Sequence, residues 1–517
     1  MIEINSELVG NISMNNSGSA YFKATDQPKD IYIHKTNTKQ ALHLDQVKVK
    51  IIKGKGRAIE GIVVEVLERF KTKFVGTLQV SEKFAFFVPD SLKMVVDVFI
   101  PLKKINGATH GQKVVVEITD WKENKKTPNG KVVKVLGTAG DNDTEIHSIM
   151  EEYGLAYEFN EDVIAEAEAI SKIITPEEIA KRRDFRNVLT ICIDPLGSRD
   201  KDDSISIVEL GDGITEIGVH IADVTHYVKE DTELDREAYI RGNSVYLVDR
   251  VVPMFPEILS GDICSLHPHI DKLTLSAVFK INDNGEVISE WFGRTIINID
   301  NDFTYEKAQS IIEGDIDESL DDSAIRGIIK LDEIAKQMRA KRLIDSDSLV
   351  INKVEPYFVL DENKVPIDIK LKVQKDANRL IEEFMLLANK RVCEYITKNN
   401  NVSIHRIHPK PDTDKLNELK VFAESVGYSI NTADDKLING ELNRLLNETK
   451  GTNYENIFAS LVPRCMSKAQ YDVVNLGHFG LGFEYYTHFT SCIRRYSDII
   501  AHRLLIQTLG NYGYTII

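Results

Sequence analysis

Ile191-Cys192-Ile193-Asp194-Pro195-Leu196-Gly197-Ser198-Arg199-Asp200-Lys201-Asp202-Asp203-Ser204-Ile205-Ser206 is the stretch on which the reading of this chain turns. An apolar run, Val188–Ile193, enters a Pro/Gly turn, and four carboxylates fall within ten residues. Such a run ahead of a turn signals a strand that ends there. Four aspartates held this close repel one another, and cations must neutralise them if they are to stay ionised together. Hard oxygen donors, with no His or Cys in a ligand pattern, favour magnesium or manganese over zinc. Two such ions roughly 4 Å apart suit phosphodiester cleavage, one generating hydroxide and the other stabilising the leaving 3′ oxygen. The competing reading is an acidic surface loop or a calcium loop. Asp200-Lys201-Asp202-Asp203-Ser204 lacks the glycine at loop position 6 and the glutamate at position 12 that an EF-hand needs.

Upstream of this stretch the chain repeats itself with a period of roughly 66 residues. Val9-Gly10-Asn11-Ile12 returns as Val75-Gly76-Thr77-Leu78, and Ala20-Tyr21-Phe22 as Ala85-Phe86-Phe87. Asp30-Ile31-Tyr32-Ile33 returns as Asp97-Val98-Phe99-Ile100, and Val47–Ile51 as Val114–Ile118. Alternating β-branched and aromatic residues between Gly, Asn and Asp turns read as strands, and the period is that of a small five-stranded barrel; both units resemble cold-shock domains of the OB class. Asn124–Gly130 reads as a hairpin turn inside the second. Aromatic pairs beside lysines suit single-stranded RNA, with rings stacking on bases and cations meeting phosphates. Tyr21, Phe22, Phe86 and Phe87 are the candidate contacts, and alternation turns one of each pair into the barrel core.

Between the repeat and the acidic stretch, apolar residues recur at helical spacing over Ile146–Tyr157 and Val163–Ile174. Thr175-Pro176-Glu177-Glu178 marks a further helix start. The predicted organisation is a barrel over 1–66, a second over 67–137, a helical connector over 138–187 and an α+β domain over 188–517. A length of 517 residues requires several cores. Five cysteines without C-x-x-C spacing signal neither a zinc site nor a disulfide framework. The N-terminus lacks a basic region followed by an apolar one, and no apolar run has membrane-spanning length, so a soluble, cytoplasmic protein is expected. The formal charge is −16, but residues 1–135 carry 22 Lys and Arg against 14 Asp and Glu. A basic front on an acidic body is compatible with capture of a polyanion.

The spacing Asp194-x5-Asp200-x-Asp202-Asp203, followed by Gly218-Val219-His220-Ile221-Ala222-Asp223 and His226, resembles the catalytic signature of the ribonuclease II/R (RNB) family. Further blocks follow in the family order: Arg241–Tyr246, Val252–Glu257, Leu259-Ser260 with Cys264-Ser265-Leu266, Leu380–Asn389, His405–His408, Gly477–Leu481, and Tyr486–Asp498 ending in His502-Arg503. The resemblance covers about residues 185–507, and two cold-shock units ahead of it point to the bacterial ribonuclease R branch.

The resemblance implies that Asp194, Asp200, Asp202 and Asp203 hold magnesium (or manganese), with Asp202 the least replaceable. It implies that Arg494 grips the phosphate near the metals, that Tyr246 stacks on bases near the 3′ end, and that Tyr305 lies beside the scissile end. Glu382 or Glu383 adds another acid. The helical wheel turns Glu383 toward the apolar flank of Leu380, Phe384 and Leu387 and so favours it. Arg495 is expected to pair with Asp498, and His408 and His488 to be structural. The implied activity is processive 3′-to-5′ hydrolysis of single-stranded RNA to nucleoside 5′-monophosphates, and a monomer is expected. Two departures stand out. Cys492 occupies a position where the family usually has proline, which predicts a looser Arg494 loop. The chain stops at Ile517, where the family normally continues through more helices and another OB-type RNA-binding domain. That truncation makes an RNA-binding or remodelling protein with an impaired nuclease domain the main rival, and a DNA-directed metal nuclease a lesser one.

Overall fold

Each half of the sequence repeat closes on itself as a five-stranded barrel. The first consists of β1 (Glu7–Met14), β2 (Ala20–Ala24), β3 (Ile31–Ile33), β4 (Gln46–Lys53) and β5 (Glu60–Glu68), ordered β1-β2-β3-β5-β4. The second consists of β6 (Lys73–Val80), β7 (Ala85–Pro89), β8 (Val98–Ile100), β9 (Gln112–Asp120) and β10 (Asn129–Thr138), in the corresponding order β6-β7-β8-β10-β9. This is a computed structural model, and it describes residues 3–24, 30–53, 59–122, 125–315, 320–345, 348–351, 355–400, 402–432 and 437–512.

Alternation fills each barrel. Ile12, Phe22, Ile31, Ile33, Val47 and Val49 form one core, and Leu78, Phe87, Val98, Ile100, Val114 and Val116 the other. The repeated glycine has a steric cause. A Cβ on Gly10 would lie 2.2 Å from the Lys23 carbonyl oxygen, and one on Gly76 would lie 2.1 Å from that of Val88. Strands β9 and β10 run antiparallel, so the segment between them is a hairpin connection, although Asn124 itself lies outside the described residues.

The chain divides into two compact units, Met1–Tyr157 and Glu158–Ile517. The connector expected over 138–187 is therefore not one element. Helix α1 (Asn142–Glu152) packs on β6, β9 and β10, with Met150 buried. Helix α2 (Glu161–Ala169) instead contributes Val163 and Ala167 to the core of the second unit. Helix α3 (Pro176–Ile179) starts where the sequence marks it, with Thr175 Oγ1 accepting from Glu178 N at 3.3 Å.

A seven-stranded sheet organises the second unit. Its strands are β11 (Arg183–Phe185), β12 (Thr190–Asp194), β13 (Asp203–Gly211) and β14 (Ile214–Ala222), then, after a small hairpin of β15 (Val245–Tyr246) and β16 (Val251–Val252), β17 (Asp271–Asn282), β18 (Val287–Asn298) and β19 (Asn301–Thr304). Their order is β11-β18-β17-β14-β13-β12-β19. Because β11 pairs with β18, the sheet domain starts before the expected residue 188.

Helices α4 (Val224–Tyr227) and α5 (Glu233–Arg241) follow β14, and α6 (Tyr305–Glu313) follows β19. Two long helices, α7 (Asp322–Asp345) and α8 (Asp376–Asn400), pack against each other, and α6 also packs on α8. Three helices, α9 (Thr413–Ser425), α10 (Ile438–Thr449) and α11 (Glu455–Cys465), bury Leu419, Leu442, Leu445, Phe458 and Val462 in a core of their own. The last helix, α12 (Tyr496–Tyr512), returns to α8 and α4. Among the described residues no helix is long and apolar enough to cross a membrane.

Candidate active site

The acidic stretch connects the antiparallel neighbours β12 and β13, so Asp194 ends one strand and Asp203 begins the next. Gly197, at φ +80°, makes the turn between them. A second segment latches this loop from outside. Ser265 Oγ accepts from Lys201 N at 3.1 Å and donates to the Arg199 carbonyl at 2.7 Å, and Leu266 N donates to the Lys201 carbonyl at 3.0 Å. The Cys264-Ser265-Leu266 block thereby has a structural role: it fixes the backbone that carries the aspartates.

A cavity of about 510 Å³ opens at this end of the sheet. Asp194, Asp200, Asp202, Asp203, Tyr246, Tyr305 and Arg494 all line it, although the sequence spreads them over 300 positions. Asp202 is buried, and its Oδ1 accepts from Ile493 N at 2.7 Å while its Oδ2 meets Arg494 Nε at 3.1 Å. Arg494 Nη2 also donates to Ser491 Oγ at 2.8 Å, and Ser491 N donates to Asp498 Oδ2 at 2.8 Å. The Arg494 loop, with Cys492 buried at its centre, is thus pinned by two aspartates rather than by a proline ring. Asp498 also accepts from Arg495 at 2.8 Å, as the sequence suggests.

The electrostatics are those of a carboxylate cluster short of positive charge. Burial pushes the Asp202 carboxyl up to about 7, with Asp498 and Asp200 adding to the rise and Arg494 and the Ile493 N–H opposing it. Burial, then Asp194 and Asp202, hold Asp203 well above the usual carboxylate range. Asp194 is also raised, chiefly by burial, against the pull of a Cys192 hydrogen bond and of Lys201. Among the described residues no three His, Cys, Asp or Glu side chains close around one point as a ready-made metal cage. Three of the four carboxylates turn to protein donors instead. Asp202 takes Arg494, Asp200 takes the Tyr246 hydroxyl, and Asp194 takes the Cys192 thiol at 3.1 Å. The donor set nevertheless fits a hard divalent cation. It consists of carboxylate oxygens on one cavity wall that raise one another's affinity for positive charge.

The additional acid needs a correction. Glu383 does point inward, but it is enclosed by α7, accepting from Arg339 Nη1 at 3.3 Å and from Arg342 Nε at 2.9 Å. Glu382, one residue earlier on α8, lines the cavity. The apolar flank of a helix says which way a side chain faces and nothing of the cations waiting there. His488 also lines the cavity, held neutral by burial, which lowers it to about 3, and hydrogen-bonded to the Tyr471 hydroxyl at 2.5 Å. His408 serves structure, contacting the Ser467 carbonyl at 2.9 Å and Gly480 N at 3.0 Å. One ion pair beside the cluster escaped the sequence altogether: buried Lys201 bonds to Asp302 of β19.

On the barrels, Phe22 and Phe87 are fully buried core residues and drop out as RNA contacts. Their neighbours face outward. Tyr21, 48% exposed, stands 5.7 Å from Tyr32, while Phe86 meets Phe84 at 5.4 Å and Phe99 at 5.9 Å. Tyr32 and Phe99 occupy matching places in the repeat, a signal from which they could have been found.

Comparison with known proteins agrees with the fold. The RNB domain family matches residues 182–511, the ribonuclease B OB domain residues 10–66, and the cold shock domain residues 86–160. A ribonuclease R of Thermotoga maritima is 38% identical over 98% of this chain and 71% of its own length. Ribonuclease R 1 of Lactococcus lactis is 35% identical over 95% of this chain and 62% of its own length. The structure of Mycoplasma genitalium RNase R in complex with ribose-methylated single-stranded RNA superposes with a TM-score of 0.91 at 27% identity, covering 98% of this chain and 80% of that one.

Proposed function

Because the chain belongs to the RNB family of ribonucleases, we propose that it is a processive 3′-to-5′ exoribonuclease that hydrolyses single-stranded RNA to nucleoside 5′-monophosphates. The observation that carries this reading is the gathering of four aspartates, two tyrosines and Arg494 around one cavity of about 510 Å³.

In this reading Asp194, Asp200, Asp202 and Asp203 hold magnesium, with manganese able to substitute. When bound, the metal supplies Lewis acidity, lowering the pKa of water and neutralising charge at the scissile phosphate. The chain's own residues do the rest. Arg494, anchored by Asp202 and Ser491, presents its guanidinium to the phosphate as the negative charge grows. Tyr246, half exposed and tied by its hydroxyl to Asp200, offers its ring to a base near the 3′ end. Tyr305, on the first turn of α6, borders the reacting end. Glu382 adds a further carboxylate to the same cavity. Outside it, Tyr21 with Tyr32, and Phe86 with Phe84 and Phe99, offer stacking platforms for the incoming strand. Five buried free cysteines suit a reducing cytoplasm.

The test is a 5′-labelled single-stranded RNA incubated with magnesium and either the parent or Asp202→Asn. A ladder shortening from the 3′ end with the parent alone establishes the activity. RNA bound yet uncut by both would favour an RNA-binding protein, and equal cutting of a matched DNA would remove the preference for RNA.

A further inference from the structure

The family spacing leaves the residue between Asp200 and Asp202 open, and in this chain a lysine fills it. Lys201 is 7% exposed, an unusual state for a lysine, and it is stationed inside a run of four carboxylates. Its backbone is locked on both sides, N to Ser265 and O to Leu266, so the direction of its side chain is set by the loop latch. The ammonium does not pair with any of the four aspartates. It pairs with Asp302, at the outer edge of the sheet, where β19 runs parallel to β12 and Asp302 lies in register with Cys192. Asp302 is thus on the strand next to the one that ends in Asp194. Both charges sit beside the cluster, Lys201 between Asp200 and Asp202 in the loop and Asp302 on the strand paired with β12, which ends in Asp194.

We propose that the Lys201–Asp302 pair is a charge-compensated positioning unit that sets how tightly the aspartate cluster holds its divalent cation. The proposal rests on the metal-binding reading of that cluster. A lysine this close to the cluster lowers cation affinity, and the Asp302 carboxylate restores it. Neither side chain lines the cavity, so neither is assigned contact with RNA.

Opposite signs make the unit testable. Removing Asp302 leaves an uncompensated ammonium beside the cation, and removing Lys201 leaves an uncompensated carboxylate. For unit charges acting at this range through a protein interior, each change is expected to move cation affinity by about tenfold. The measurement is magnesium and manganese binding to the intact chain, by calorimetry and by cation-dependent thermal shift, without RNA. Asp302→Asn should raise the half-saturating concentration about tenfold, and Lys201→Met should lower it. The double variant K201M/D302N should return to within about threefold of the parent, and Lys201→Arg should match the parent. The double variant and Lys201→Arg keep the test sound if a single variant folds poorly, since neither leaves a charge unpaired. Shifts of the same sign in both single variants, or no shift in either while the parent binds cation, would overturn the proposal. A parent that binds neither cation would overturn the metal-binding reading itself and this proposal with it.

Discussion

Asp202 and Asp223 are both buried aspartates at the same end of the sheet, linked by a hydrogen bond from Ala222 N to the Asp202 carbonyl, and they live in opposite electrostatic worlds. At Asp223 burial alone would raise the carboxyl, but Arg182 and Arg294 outweigh it, with help from the Thr225 hydroxyl, and hold it well below the usual range. The contacts are close: Arg182 Nη2 at 2.8 Å, Arg294 Nε at 3.2 Å and Thr225 Oγ1 at 2.7 Å. At Asp202 one half-exposed arginine faces a carboxylate that Asp200 and Asp498 also crowd. A buried carboxylate matched by cations holds the fold together, whereas one left short of them is poised to take a cation from solution.

Exchanging each acid for its amide should separate the two roles. Asp202→Asn is expected to lower RNA cleavage by at least about a thousandfold, the loss of roughly 4 kcal/mol of transition-state stabilisation, with no fall in thermal midpoint. Asp223→Asn is expected to cost about 3–5 kcal/mol of stability, because Arg182 and Arg294 lose their counter-charge. Initial rates and thermal unfolding on both variants decide it, and a stability loss at Asp202 as large as that at Asp223 would erase the distinction.

The pH dependence should carry opposite signs as well. Asp202 binds its proton more tightly in the folded chain than in the unfolded one. Without divalent cation, its contribution to stability is full below about pH 4 and is lost as pH rises toward 7. Asp223 is depressed, so its contribution is present above about pH 4 and is lost on further acidification. Denaturant unfolding in chelator across pH 3–8 should therefore show stability falling from pH 4 to 7 in the parent. That fall should flatten in Asp202→Asn and, for the parent, on adding magnesium.

How far the sequence reached follows from the same physics. Mutual repulsion among four aspartates is a local property, legible from spacing alone, and so is the barrel repeat, whose glycines and alternation are fixed by contacts within one strand pair. Motif order brought in Arg494 from almost 300 positions away. What stayed hidden depends on partners brought by other elements. Lys201 looks like one more surface cation until β19 supplies Asp302, and Ser265 looks like a loop serine until it is found holding the aspartate loop. The connector over 138–187 split because its helices serve different cores, and helical periodicity does not say which core an apolar stripe will find.

Glu382 and Glu383 carry the comparison onto one helix, with a smaller effect on chemistry. Glu383→Gln should destabilise by a few kcal/mol, since it strips the counter-charge from Arg339 and Arg342, and should leave the cleavage rate of the folded fraction near the parent's. Glu382→Gln should do the reverse, slowing cleavage about tenfold with an unchanged thermal midpoint. Paired rate and unfolding measurements check both, and a rate loss confined to Glu383→Gln would return the extra acid to the position that the helical wheel favours.

The smallest effect on chemistry belongs to the second barrel, where strand alternation separates neighbours as sharply as charge does elsewhere. Phe87 is fully buried among Leu78, Val98 and Val114, so Phe87→Ala leaves a cavity and should lower the barrel's stability by about 3–5 kcal/mol. Phe86 shares its outward face with Phe84 and Phe99, so Phe86→Ala removes little core and one stacking surface. Its expected cost is about 1–3 kcal/mol of affinity for single-stranded RNA, with cleavage of saturating substrate unchanged. Fluorescence anisotropy on a labelled oligonucleotide, performed in the Asp202→Asn background so that the RNA survives, reads this directly. If affinity holds, the outward rings are packing against one another rather than waiting for bases, and RNA capture must lie on the Tyr21–Tyr32 face of the first barrel or within the cavity itself.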